Sequence, residues 1–240
     1  MVYSIVPEKN YNSSLFNIPD VERDREVVRR ATELIDRHQR SGDQYSVPFR
    51  NIQLKMKQGV LCAAYGDGSQ VLSNYVSVSP TDTVLDMGTG SGAMAILAAQ
   101  QGAYVTAVDI SPLAVACAKE NVLLNDVENT VEVFQSDLFS MLEGRKFSSI
   151  FFNPPFMNGK PKNLLEVAMY DEGYQKLTQF FKEVKDYLLP GGRLTLVFSE
   201  AGDMNYLESL LRKTGLPTKV LASQLPDTSQ LRLKVFQLTK

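Results

Sequence analysis

Asn153-Pro154-Pro155-Phe156 offers the sharpest chemical possibility in the chain. Two successive prolines fix φ and supply no N–H, so the Pro154 carbonyl can be held rigidly outward. The Asn153 side-chain oxygen is a second acceptor close by. Two acceptors facing one point suit an –NH2 group, which has two hydrogens to donate. Phe156 adds a flat surface for a planar substituent on that nitrogen. Pro-Pro also serves as a plain rigid turn leaving a buried strand, so the chemistry depends on what lies across from it.

A second group of residues could hold a ligand there. Asp86 precedes Gly88-Thr89-Gly90-Ser91-Gly92, and an apolar run follows from Ala93. Glycines at such a turn allow positive φ and close approach of the backbone, and the following helix offers free N–H groups. Asp109 comes about 20 residues on, where an acidic side chain commonly takes ribose hydroxyls. Asp137 can accept from an exocyclic amine, with Leu138 and Ile110 as apolar faces for a ring. A glycine turn alone is weak evidence. Strand, turn, helix, second strand and terminal Asp in that order make the opening of a nucleotide-binding α/β unit.

The elements that must position these residues can be read from periodicity. Strands are expected at Thr83 to Met87, Ala103 to Val108, Thr130 to Gln135, Phe147 to Phe152 and Arg193 to Phe198. Helices are expected from Ala93, from Pro112 to Leu124 behind a Ser111 cap, from Tyr174 to Leu189 and from Met204 to Lys213. Two closing strands, Thr218 to Ala222 and Leu231 to Leu238, are separated by a connection too short for a helical crossover. They must therefore pair antiparallel. The prediction is an α/β fold: a Rossmann-like seven-stranded sheet with an antiparallel last strand. In such sheets ligands bind beyond the carboxyl ends of the strands, where Asp86, Asp109, Asp137 and Asn153 all fall.

Before this core, residues 1–19 read as an irregular arm, and Asp20 as the cap of a helix from Val21 to Gln39. Val27, Ala31, Leu34 and His38 form its apolar stripe, with Val28 and Ile35 beside it. Its arginines and acidic residues read as a solvated, salt-bridged face, with His38 solvated as well. A hairpin from Tyr45 to Ala63 follows, then a helix from Gln70 to Val78 capped by Ser69. The expected boundary lies near residue 60, with an arm, helix and hairpin as lid or linker at 1–60 and the catalytic domain at 61–240.

Composition narrows the classes. Hydrophobic content of 44%, charged content of 22% and a net charge of −2 describe an ordinary globular chain with no global pull toward nucleic acid. No run of about 18 apolar residues is present, and the N-terminus does not read as a signal peptide. A cytoplasmic location and no membrane partner are expected. The single histidine and the two cysteines, Cys62 and Cys117, point to no metal site.

DMGTGSG, AVDIS, SDLF and FFNPPF, in this order and spacing, resemble the class I S-adenosylmethionine-dependent N-methyltransferases with an (Asn/Asp)-Pro-Pro-(Tyr/Phe) motif. The resemblance covers residues 45 to 200. YSVPFRNIQLKMKQGVL resembles the linker hairpin of the release-factor glutamine methyltransferases, and GDGSQVL a segment of small-domain ribosomal-RNA guanine-N2 methyltransferases. It implies S-adenosylmethionine as donor, leaving as S-adenosylhomocysteine, against Asp86, Gly88, Thr89, Gly90, Gly92, Asp109, Ile110, Asp137, Leu138 and Asn153. It also implies that Asn153 and the Pro154 carbonyl, stiffened by Pro155, hold the acceptor nitrogen beside Phe156.

Departures from these relatives limit the acceptor. The proline- and acid-rich stretch after the hairpin is replaced by CAAYGDGSQ, and no RNA-binding module is added. A small metabolite or a protein glutamine is expected ahead of RNA. Tyr45, Tyr65, Met157, Asn158 and Tyr170 are candidate acceptor contacts. Two other readings stay open at this point. One is an NAD-dependent oxidoreductase using the same turn and Asp109; the other is a non-catalytic nucleotide-binding partner protein.

Overall fold

The computed structural model describes residues 20–163, 165–227 and 230–240. The arm expected at 1–19 lies outside the described residues. Helix α1 (Asp20–Arg40) precedes a hairpin of β1 (Gln44–Phe49) and β2 (Ile52–Lys57), then short helix α2 (Asp67–Ser73). Strands and helices alternate from there: β3 (Thr83–Met87), α3 (Ala93–Ala99), β4 (Tyr104–Asp109), α4 (Pro112–Leu124), β5 (Val131–Gln135) and β6 (Phe147–Phe152). The chain closes with α5 (Gln175–Tyr187), β7 (Leu188–Ser199), α6 (Met204–Thr214), β8 (Thr218–Gln224) and β9 (Leu233–Thr239).

Seven strands form one sheet in the order β5-β4-β3-β6-β7-β9-β8, with β9 antiparallel to both neighbours. This is the sheet anticipated from the sequence. The order reverses between β3 and β6, which lie side by side in parallel with Met87 paired to Phe152. The glycine turn after β3 and Asn153 after β6 therefore leave the sheet as neighbours at its switch point.

Alternating residues of each central strand feed opposite faces, as the two-residue period of a strand requires. Val84 packs with α2, α3, α4 and the hairpin, while the next residue, Leu85, packs with α5 and α6. The hairpin is fastened to α4. The Lys55 N–H donates to Asn121 Oδ1 at 2.7 Å, and Asn125 Nδ2 donates to the Gln53 carbonyl at 2.8 Å. Leu54 and Met56 are fully buried in the same core as α3 and α4.

Three local expectations give way. Helix α2 starts at Asp67 with Gly66 as its N-cap, so Ser69 is a residue inside the first turn rather than the cap. His38 is buried, not solvated: its ring accepts the Cys62 N–H through Nε2 at 2.8 Å and meets Tyr65 edge-on. Val28 is exposed, leaving Val27, Ala31, Leu34 and Ile35 as the inward stripe of α1. The outer face does carry the expected ion pairs, Arg29 with Glu26 and Glu33 among them. One pair crosses to the body, from Arg30 to Asp67 at 2.7 Å.

Candidate active site

Two cavities meet at the carboxyl ends of β3 and β6. The larger, of about 310 Å³, is lined by Asp86, Gly88, Thr89, Gly90, Asp109, Ile110, Asp137, Leu138, Asn153 and Pro155. Every cofactor residue expected from the sequence except Gly92 faces it. Gly92 instead sits where a Cβ would lie 3.3 Å from Ala118, so its role is the close approach of α3 to α4. Gly88 and Gly90 have φ of 66° and 55°, and a Cβ on Gly90 would meet nothing within 4 Å. Glycine is needed here for conformation and for the ligand-sized space beside it.

The acidic residues are held in distinct ways. Asp86 is 3% exposed and accepts from the Thr89 hydroxyl at 2.6 Å and the Ala95 N–H at 3.1 Å. Burial pushes its carboxyl up to about 7, against the pull of those two donors. Asp109 accepts from the Gly90 N–H through Oδ2 and the Ser111 N–H through Oδ1, both at 2.9 Å. This clamps the glycine turn to the end of β4, and burial again raises the carboxyl. Asp137 is paired with Lys176, whose Nζ lies 2.8 and 2.6 Å from its two oxygens. Lys176, at the start of α5, was missed because nothing in the sequence brings it to a loop 39 residues earlier.

The residues fit an adenosine-bearing cofactor by a structural test. A positive-φ glycine turn opens onto free space, an acidic residue ends the next strand, and apolar Ile110 and Leu138 flank the far end. Among the described residues, no three His, Cys, Asp or Glu side chains come together as a metal-holding group.

The second cavity, of about 100 Å³, lies under α1. Val27, Ala31 and Leu34 form its roof, Met157 and Met169 one wall, and Leu231 and Leu233 another. Pro154, Phe156 and Tyr65 also line it. Asn153 belongs to both cavities and, with Leu61 and Ala168, forms the wall between them. Its Nδ2 donates to Ser69 Oγ at 3.1 Å, while its Oδ1 is buried with no hydrogen-bond partner among the described residues. Gly68 presses against it, where a Cβ would stand 2.8 Å from Oδ1.

The five candidate acceptor contacts divide. Tyr65 and Met157 line the small chamber, and Tyr170 lines the large one. Tyr45 does not reach either; it stacks on Tyr65 with ring centroids 5.8 Å apart. Asn158 is also turned away, accepting the Gly173 N–H at 2.9 Å to shape its own loop. Asn158 is next in sequence to the lining residue Met157, but neighbouring positions in an extended stretch point in different directions.

With this geometry in place, comparison with known proteins decides the family. The model of the methyltransferase small domain matches residues 51–224. The chain belongs to that family. It is a class I S-adenosylmethionine-dependent methyltransferase, which sets aside the dehydrogenase and non-catalytic readings. A Methanocaldococcus jannaschii protein named as an N5-glutamine methyltransferase is 33% identical over 183 residues, covering 73% of this methyltransferase and 90% of the relative. The release factor glutamine methyltransferase of Shewanella oneidensis is 39% identical over 127 residues, covering 47% of this methyltransferase and 43% of that protein. The latter match thus spans less than half of the relative's length. The Thermus thermophilus 16S rRNA N2 G1207 methyltransferase, solved with AdoMet and guanosine, shares the fold at TM-score 0.62 and 23% identity, over 82% of this methyltransferase and 50% of that chain.

Proposed function

We propose that this methyltransferase moves the methyl group of S-adenosylmethionine to a planar nitrogen, an amide or ring amine, reached through the chamber under α1. The observation that carries this reading is Asn153 Oδ1, a buried acceptor without a partner among the described residues, on the wall shared by the two cavities. An unmet buried acceptor costs about 1–3 kcal/mol, and an arriving N–H would recover it.

S-adenosylmethionine supplies an electron-poor methyl carbon when bound. The chain's own residues do the rest by holding and drying. Asp109 would accept from ribose hydroxyls, the Gly88–Gly90 turn would hold the amino-acid end, and Asp137, paired with Lys176, would receive the adenine amine. On the other side Asn153 Oδ1 and the Pro154 carbonyl accept the two hydrogens of the acceptor amine. That draws its lone pair out of conjugation and toward the cofactor cleft, with Phe156 against its planar group. Transfer leaves S-adenosylhomocysteine, the methylated nitrogen gives its surplus proton to solvent, and positioning and exclusion of water before transfer carry the rate.

The apolar walls and small volume of the chamber favour a small molecule or a protein glutamine side chain over RNA. We place the boundary near residue 60, with 61–240 as the catalytic domain, and read α1 with the 157–172 loop as the part that closes over the acceptor. The buried free thiols of Cys62 and Cys117 favour a cytoplasmic setting. The test is transfer of labelled methyl from S-adenosylmethionine to a metabolite fraction, glutamine-bearing peptides and ribosomal RNA in parallel. Label on nitrogen in either of the first two supports the reading; label on carbon or oxygen, or in RNA alone, contradicts it.

A further inference from the structure

Ser69 lies 84 residues before Asn153, on α2, yet the two side chains are in contact. An asparagine amide is nearly symmetric in shape, and rotation about its last bond exchanges oxygen for NH2. Which end faces a ligand is set by the partner of the other end. Here Nδ2 is bonded to Ser69 Oγ, Oδ1 has no partner among the described residues, and the Asn153 side chain lines the acceptor chamber. Gly68, the residue before Ser69, closes the remaining space: a Cβ there would lie 2.8 Å from Oδ1 and 3.3 Å from Nδ2.

We infer that Ser69 is a positioning residue that fixes the Asn153 amide with its oxygen toward the transferred group, an inference that rests on the function proposed above. In the structure the hydroxyl accepts an Nδ2 hydrogen, which anchors the amide with Oδ1 left over for the acceptor. Without it, the amide is free to turn and present NH2 to an acceptor that itself offers N–H groups. Donor would then face donor.

The test needs no identified acceptor. Sinefungin carries a primary amine where the transferred methyl of S-adenosylmethionine would be, and S-adenosylhomocysteine carries nothing there. Calorimetric affinities for the two ligands are measured on the wild-type chain, Ser69→Ala, Ser69→Thr and Asn153→Ala. We expect Ser69→Ala to weaken sinefungin about tenfold, leave S-adenosylhomocysteine within about twofold, and be rescued by Ser69→Thr. Asn153→Ala should lower the same ratio. If Asn153→Ala lowers it and Ser69→Ala does not, the positioning role is wrong while the proposed function stands. Equal weakening of both ligands by Ser69→Ala makes the hydroxyl merely structural and also overturns the role. An unchanged ratio in Asn153→Ala removes the proposed function itself.

Discussion

His38 on α1 and Cys62 on the loop before α2 are joined by a hydrogen bond of 2.8 Å from the Cys62 N–H to His38 Nε2. Because Nε2 accepts, the ring proton is on Nδ1, which lies 2.6 Å from the Leu34 carbonyl and donates to it. The imidazole is therefore neutral in the folded chain, and one tautomer is selected by two backbone partners. Through this contact the helix roofing the acceptor chamber is tied to the loop that carries Tyr65.

Burial lowers the His38 pKa from its ordinary 6.5, and the Arg37 charge adds to the effect. A depressed value means that the unfolded chain takes up a proton before the folded chain does. The stability contribution is complete above pH 6.5 and is lost as pH falls from there to the lower folded value. Urea titrations of the wild type and His38→Ala at pH 8 and pH 5.5 should show the stability difference between the two chains shrinking at the lower pH. His38→Ala should lose about 1–3 kcal/mol at pH 8, since the buried Cys62 N–H is left without its acceptor, and should show a shallower fall toward acid.

Asp86 should report cofactor binding through protons. Its carboxyl, pushed up to about 7, is protonated in a substantial fraction of molecules at neutral pH. A raised value in the folded state means that its contribution to stability is full below the ordinary 3.8 and is lost as pH rises through about 7. A ligand ammonium group near Asp86 would lower the value again and release a fraction of a proton. Calorimetry of S-adenosylmethionine binding at pH 7 in buffers of different ionisation enthalpy measures this directly. Release should vanish in Asp86→Asn; release that persists there assigns the proton to another group.

Gly68→Ala should damage the acceptor side alone. The new methyl would lie 2.8 Å from Asn153 Oδ1, on the chamber side of the wall. Overpacking of this kind costs about 1–3 kcal/mol of stability, and displacement of the amide should lower kcat by about tenfold or more. Affinity for S-adenosylhomocysteine should stay within about threefold. Turnover and calorimetry on one preparation check both.

Asn153→Ala is the stronger form of the same experiment. Turnover with the best acceptor should fall by at least about 100-fold with little change in cofactor affinity, as when a contact made mainly in the transition state is removed. Equal weakening of turnover and cofactor affinity would point to a structural role for the side chain.

The sheet was legible because its strands are short apolar runs ended by glycine, Asp or Asn-Pro, and because the 223–229 connection is too short to cross over. The cofactor residues were legible for the same reason: they are adjacent in sequence to strand ends, and topology alone brings strand ends together. What could not be read were contacts made between distant segments. Lys176 on Asp137, Ser69 on Asn153 and Leu231 over the acceptor chamber each depend on how layers stack. His38 was misread because charged neighbours on α1 suggested solvent, whereas its place in the Val27–Ala31–Leu34 stripe was the better guide. Gly92 has the same glycine signature as Gly88 and Gly90, but it serves helix packing against Ala118.

A crystal structure of the chain with S-adenosylhomocysteine tests the central claim most directly. An N–H···O contact of about 2.9 Å, an approach of about 3 Å and one carbon–sulfur bond place the sulfur within about 7 Å of Asn153 Oδ1. The account predicts a sulfur inside that distance, with Oδ1 and the Pro154 carbonyl turned toward the gap beside it. A sulfur well beyond it, or an Asn153 oxygen turned into the protein interior, would contradict the account.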